Sequence, residues 1–195
     1  MNEELLQKAM QMFDTPEKWN AFCELMNRNG EIQNRWWKNL QTEIYQRELS
    51  TGNPDWDIKI WNFIEIKWFM RGENESSLLI YFRADGLRIY FNNNYLDVDK
   101  VNDLIKDQRF NIIKTCLEFD GSDSNTICWE ERRFYFGNDT YKGKFRDDRT
   151  LAWYAGNRTK EFADQVIEKV RKIQIPEITA LFKEINEKCR KDNTV

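Results

Sequence analysis

At 195 residues, 41% hydrophobic and 32% charged, the chain can build one globular core but has little room for a second independent one. A net charge of −3, from 30 Lys and Arg against 33 Asp and Glu, excludes a molecule that attracts polyanions through its overall field, so any nucleic-acid contact needs a local patch. The chain has no histidine, which excludes Ser-His-Asp and Cys-His nucleophile systems, zincin motifs and nucleases with a histidine general base.

The start, Met1-Asn2-Glu3-Glu4, has neither the basic nor the apolar region of a signal peptide. No apolar run downstream reaches the roughly 18–20 residues of a membrane span, so a soluble, cytoplasmic protein without membrane contact is expected. Leu5, Ala9, Met12 and Phe13 share one face of a first helix. Thr15-Pro16 supplies an N-cap and a first-turn proline, and Trp19, Phe22, Cys23 and Met26 follow at helical spacing. Asn29-Gly30 is expected to stop that helix. Ile32, Trp36, Leu40 and Ile44 predict a third one, ended by the break Ser50-Thr51-Gly52-Asn53-Pro54.

The middle of the chain reads as β. Asp57 to Met70 is rich in Ile, Phe and Trp, contains no Gly or Pro, and reads as one long strand, with a hairpin as the open alternative. Arg71-Gly72 opens a turn. Leu79–Phe82 and Leu87–Phe91 flank Asp85-Gly86, a strong hairpin signal that completes a three-stranded meander. Val98, Val101, Leu104 and Ile105 suggest a short helix, and Phe110–Leu117 fits either helix or strand. Thr126–Phe136 reads as a further strand, pairing with material between Tyr141 and Trp153. Phe162, Val166, Ile167 and Val170 form the apolar stripe of one helix. Pro176 starts a last helix, which carries Ile178, Leu181, Phe182, Ile185 and Cys189. The expected fold is α+β: a mainly antiparallel sheet, meander plus second hairpin, packed by N-terminal and C-terminal helices. It forms a single domain over 1–195, with a helical segment at 1–49, a sheet region at 55–155 and a helix pair at 157–191.

Cys23, Cys116, Cys128 and Cys189 are scattered, with no CxxC pair, which predicts reduced thiols and no zinc site. Neither a P-loop nor a GxGxxG fingerprint is present. No cofactor is expected unless a metal serves the site described next.

Pro54-Asp55 followed by Glu65-Ile66-Lys67, inside Phe63-Ile64-Glu65-Ile66-Lys67-Trp68, resembles the PD-(D/E)XK nuclease motif. The resemblance implies that Asp55 and Glu65 bind Mg²⁺ while Lys67 positions or activates the attacking water. Two carboxylates suit a hard divalent ion, and the ion lowers the pKa of its bound water. Strand alternation puts Glu65 and Lys67 on one face, and Glu43 is a possible third carboxylate. One straight strand from Asp57 onward would carry Asp55 too far from Glu65 to share an ion.

A second candidate is the stretch from Arg132 to Lys160. Arg132, Arg133, Lys142, Lys144, Arg146, Arg149, Arg158 and Lys160 outnumber Asp139, Asp147 and Asp148 there and are interleaved with Phe134, Tyr135, Phe136, Tyr141, Phe145, Trp153 and Tyr154. Cations neutralise phosphates while aromatic faces stack on unpaired bases. The other reading is a hairpin with one buried aromatic face and one solvated charged face. Between Glu118 and Glu131 the chain holds five carboxylates and no Lys or Arg, which is either a solvated loop or an acidic surface for a basic partner. Adjacent Trp36 and Trp37 cannot share one helical face, which makes Trp37 a contact candidate, with core packing against the sheet as the competing reading.

The order of elements, with a Trp-Phe-rich meander, a Trp129-Glu130 strand and a final amphipathic helix pair, resembles an uncharacterised bacterial domain family that accompanies PD-(D/E)XK nucleases and restriction-type defence genes. That resemblance implies an accessory binding role. Two functions are expected from these residues. The first is a non-catalytic module that contacts nucleic acid or a protein partner, with Arg132, Arg133, Tyr135, Lys142, Lys144, Arg146 and Trp37 as contact residues. The second is a Mg²⁺-dependent nuclease using Asp55, Glu65 and Lys67.

Overall fold

A computed structural model describes residues 3–75, 77–84, 86–119, 129–142 and 149–191 of the chain. It begins with α1 (Glu3–Met12) and α2 (Pro16–Asn27). Thr15 caps α2 by accepting from the Lys18 N–H, and Pro16 occupies the first turn, where its missing N–H costs nothing. Asn29-Gly30 does not end a helix as expected, but opens α3 (Asn29–Thr51). A glycine stops a helix by taking a positive φ, and Gly30 stays helical instead. The chain barely breaks at Arg28, whose N–H still donates to the Glu24 and Leu25 carbonyls.

Five strands follow in sheet order equal to chain order, all antiparallel: β1 (Trp56–Trp61), β2 (Glu65–Met70), β3 (Leu79–Arg83), β4 (Gly86–Tyr90) and β5 (Trp129–Glu131). The expected single strand from Asp57 to Met70 is therefore a hairpin. It reverses at Asn62-Phe63, both at positive φ (50° and 51°), with the Ile64 N–H donating to the Trp61 carbonyl at 2.9 Å. Asparagine tolerates that backbone; phenylalanine does not favour it, so the turn leaves little signal in the sequence. Tertiary contacts hold it instead. The Trp37 indole donates to the Phe63 carbonyl at 3.1 Å, and the Lys38 ammonium lies 5.1 Å from the Phe63 ring centre. Gly86 has the opposite character: a Cβ there would stand 2.9 Å from the Glu131 carbonyl, so the approach of β5 itself requires glycine.

The expected strand Thr126–Phe136 divides, in its described part, at Arg132. β5 joins the large sheet, while β6 (Arg133–Phe136) pairs with β7 (Asp139–Lys142) around Gly137 at φ 64°. Trp153, expected opposite this strand, lies on a helix, α6 (Arg149–Asn157). Leu151, Ala152 and Ala155 bury one helical face, and Gly156 lies so near the Trp36 ring that a Cβ would stand 2.4 Å from it. The ambiguous stretch near Phe110 is helical: α4 (Val98–Leu104), a 3₁₀ turn at Gln108–Phe110, then α5 (Asn111–Thr115). The chain ends with α7 (Thr159–Ile173) and α8 (Pro176–Cys189).

The architecture is α+β. One sheet face carries Ile66, Trp68, Met70, Ile80, Phe82, Leu87 and Ile89, all buried against α3, α6, α7 and α8. Trp37, a contact candidate with core packing as its competing reading, is only 6% exposed and packs on Phe82 with ring centres 5.1 Å apart. It is a core residue, because α3 is rotated so that Trp37, Leu40, Gln41, Ile44 and Glu48 face inward. No helix among the described residues is long and apolar enough to cross a membrane.

Candidate interaction surfaces

The nuclease-like residues fall on one hairpin but at opposite ends of it. Asp55 stands beside Arg71, whose N–H donates to the Asp55 carbonyl at 2.9 Å, while Glu65 pairs with Trp61 next to the turn. Six residues of β2 separate the two positions, about 20 Å at the usual strand rise. The chain does fold back on itself, yet its register keeps the two carboxylates apart. Glu65 is also engaged already, 3.3 Å from the Lys67 ammonium and 3.6 Å from the Arg83 guanidinium. Lys67 lies 5.0 Å from the centre of the Trp61 ring. Glu43 pairs with Arg47 on α3, in the helical layer behind the sheet. Among the described residues no group of three or more metal-ligating side chains is gathered. Asp55 and Glu65 therefore do not fit a shared Mg²⁺ ion.

Glu65 and Lys67 belong instead to the second face of the sheet. Antiparallel register lines up Lys59, Lys67, Tyr81, Arg88 and Glu130 across all five strands, beside a shorter row of Trp61, Glu65 and Arg83. Opposite charges meet along it: Arg88 with Glu130 at 2.7 Å, Lys59 with Glu75, and Lys67 and Arg83 with Glu65. A hollow of about 320 Å³ opens among Trp61, Glu65, Lys67, Tyr81, Arg83 and Tyr90. Each of these cations lies beside a carboxylate, with Lys67 and Arg83 sharing Glu65, so the face offers a polyanion only a weak attraction.

The basic and acidic segments, read separately as two surfaces, meet where both are described. Arg133 pairs with Glu118, and Arg132 with Glu130. Glu131, almost fully buried, accepts from the Arg133 N–H at 2.9 Å and lies 3.6 Å from the Lys169 ammonium. Burial pushes the Lys169 pKa down, and the Glu131 carboxylate partly offsets that shift. Tyr135 is exposed but anchored: its N–H donates to Gln165 at 2.8 Å, and its ring faces Lys169. Phe134 and Phe136 face inward onto Phe162, as the amphipathic-hairpin reading expects. Lys142 pairs with Arg133 in the hairpin register. Its side chain, together with Lys144, Arg146, Asp120 and Asp123, lies outside the described residues.

Among the described residues, exposed large apolar side chains concentrate elsewhere, in α1 and α2. No side chain between Glu3 and Trp36 is buried. Leu5, Leu6, Met10, Met12, Trp19, Leu25 and Met26 are between 43% and 68% exposed. At 100° per residue the apolar positions of α1 and α2 each cover an arc about 160° wide, the width of a core-facing stripe. Phe13, Trp19 and Phe22 form a small knot at the joint, with Phe13 and Phe22 centres 4.4 Å apart. The cations of the arm are paired locally: Lys8 with Glu4, Lys18 with Asp14, and Arg28 with Glu24, each at i,i+4 spacing. The uncovered surface is thus apolar along its stripes and internally neutralised along its flanks.

No family model, no curated protein and no solved structure matches this chain.

Sequence reasoning found the α1 and α2 stripes but treated them as core-facing. Periodicity reports that a helix has an apolar side; it does not report whether the same chain covers that side. The signal available was arithmetic of faces: α3, α6, α7 and α8 already fill the apolar side of the sheet, which leaves α1 and α2 nothing to pack on.

Proposed function

We propose that this chain is a non-catalytic interaction module whose α1–α2 arm docks onto protein. The observation that carries this reading is the arm itself: two helices with broad apolar stripes, of which not one side chain is buried. Helices of 10 and 12 residues are marginal alone in water, so these need a cover to persist. Protein is the cover that fits. The arm presents more Asp and Glu than Lys and Arg, which disfavours nucleic acid and anionic lipid. The internal pairing of Arg132 and Arg133 further weakens the case for the basic stretch as a phosphate surface. The accessory setting beside nucleic-acid-processing or defence enzymes rests on the resemblance of element order alone.

A photoreactive side chain in place of Leu25, irradiated in cells, is expected to trap protein in discrete adducts. The same group in place of Lys59, on the ion-paired sheet face, is expected to trap none. Equal yields at both positions, or no adduct at Leu25, would remove the arm from the account.

A further inference from the structure

We infer that the occupant of the arm's apolar face is a second copy of this chain, giving a dimer held by two α1–α2 arms packed together about a twofold axis. The inference rests on the reading of the arm as a docking surface and adds the identity of the partner.

Three observations point to self-association. The first is area. Seven large apolar side chains at 43–68% exposure leave on the order of 800 Å² in water on each arm, close to what one partner contributes to a standard stable interface. A monomer rarely shows a contiguous apolar patch above about 300–600 Å². The second is charge. Every Lys and Arg from Lys8 to Arg28 has a carboxylate of its own arm within an i,i+4 pair. The remaining Glu3 and Glu17 sit in first turns, where the helix dipole favours them. No acidic or basic stripe is left to demand a partner of opposite sign, and a copy with the same neutralised flanks meets no repulsion. The third is shape. The α1 and α2 stripes meet at the Phe13–Trp19–Phe22 knot, and the stripes of two copies packed on each other bring four helices together. A twofold contact needs one patch that complements itself, and a stripe without charge polarity meets that condition.

Sedimentation of the purified full chain tests this. The expected mass is twice the 23.7 kDa of the chain, unchanged in high salt because the contact is apolar. The double variant Met12→Glu, Met26→Glu is expected to run as a monomer with dimerisation at least about 100-fold weaker, since two buried charges per arm find no partner. Its thermal unfolding at low concentration should match the parent, because both residues lie on the surface of the monomer. Lys59→Glu is expected to stay dimeric. A parent that sediments at the single-chain mass up to its solubility limit overturns the dimer, as does a double variant that remains dimeric. The partner and the docking reading fail separately. A monomeric parent that still forms Leu25 adducts with a different protein loses only the second copy. A monomeric parent that forms no adducts and floats with neutral phosphatidylcholine vesicles loses both.

Discussion

Glu48 is the charge on which the helical layer turns. Its carboxylate, on α3, is almost wholly buried and accepts from the Trp68 indole at 3.0 Å and from Arg171 at 2.8 Å. Arg171 also donates to the Thr51 carbonyl, so one guanidinium ties α7 to the end of α3 and, through Glu48, to β2. Truncation to Ala would leave a buried indole N–H without its acceptor, leave the Arg171 guanidinium only the Thr51 carbonyl, and open a small cavity. Glu48→Ala is expected to cost about 3 kcal/mol in equilibrium urea unfolding, against about half of that for Glu48→Gln, which keeps an oxygen for the indole. Equal losses for the two variants would show that packing, not acceptance of hydrogen bonds, is what Glu48 supplies. The same residue explains why the buried face of α3 does not follow its apolar pattern. A stripe of Trp37, Leu40, Gln41, Ile44 and Glu48 places an amide and a carboxylate inward, and an apolar-periodicity count shifts the face round to Ile32 and Trp36. Trp37 then looks exposed when it is core.

Among the elements, the 3₁₀ turn at Gln108–Phe110 is fastened by one side chain. Arg109 donates to both oxygens of Glu184 on α8 at 2.6 Å and back to Asp107 at 2.9 Å. The Arg109 hydrogen bonds, then that from Lys188, hold the Glu184 carboxyl below its ordinary value of 4.5. Asp107 is held low chiefly by the Arg109 backbone N–H and next by its side chain. A carboxyl whose folded pKa is depressed binds its proton more readily in the unfolded chain. The contribution of this cluster is therefore complete above about pH 4.5 and lost as pH falls through the lower folded values. Arg109→Met should lower the urea midpoint at neutral pH, and the gap to the parent should close on acidification below that range. A gap that stays constant down to pH 3 would assign the effect to packing on Phe110. Elements of this kind were legible to very different degrees. Helices with one uninterrupted apolar stripe, α7 and α8, stand where their periodicity puts them. The β3–β4 hairpin stands where Asp85-Gly86 puts it. The β1–β2 reversal did not announce itself, because a turn built on Asn62-Phe63 is held from outside, by Trp37 and Lys38, rather than by residues that favour it. Trp153 looked like strand for a related reason: α6 packs through Leu151, Ala152 and Ala155 and brings Gly156 against Trp36, more than a hundred residues away in sequence, a contact that the local pattern does not report.

At the level of the whole molecule, charge and apolar surface are arranged in opposite ways. Among the described residues, the charged segments that looked like two binding surfaces pair at Glu118 with Arg133 and Glu130 with Arg132, while Arg88 from β4 also meets Glu130. The apolar stripes that looked like core are the part left open. A chain whose core runs from Trp37 to Cys189 draws no stability from the helices ahead of it, unless those helices are covered by another molecule. Removing residues 1–28 should therefore leave a cooperatively folded protein whose unfolding free energy, measured at low concentration, differs from the parent by no more than about 0.5 kcal/mol. The two proteins should separate as concentration rises. Association through the arm stabilises the folded chain by mass action, so the melting temperature of the parent climbs with concentration while that of the shortened chain does not. Parallel concentration dependence in both would place self-association on some other surface. A shortened chain that fails to fold would mean that the arm supports the core within a single copy.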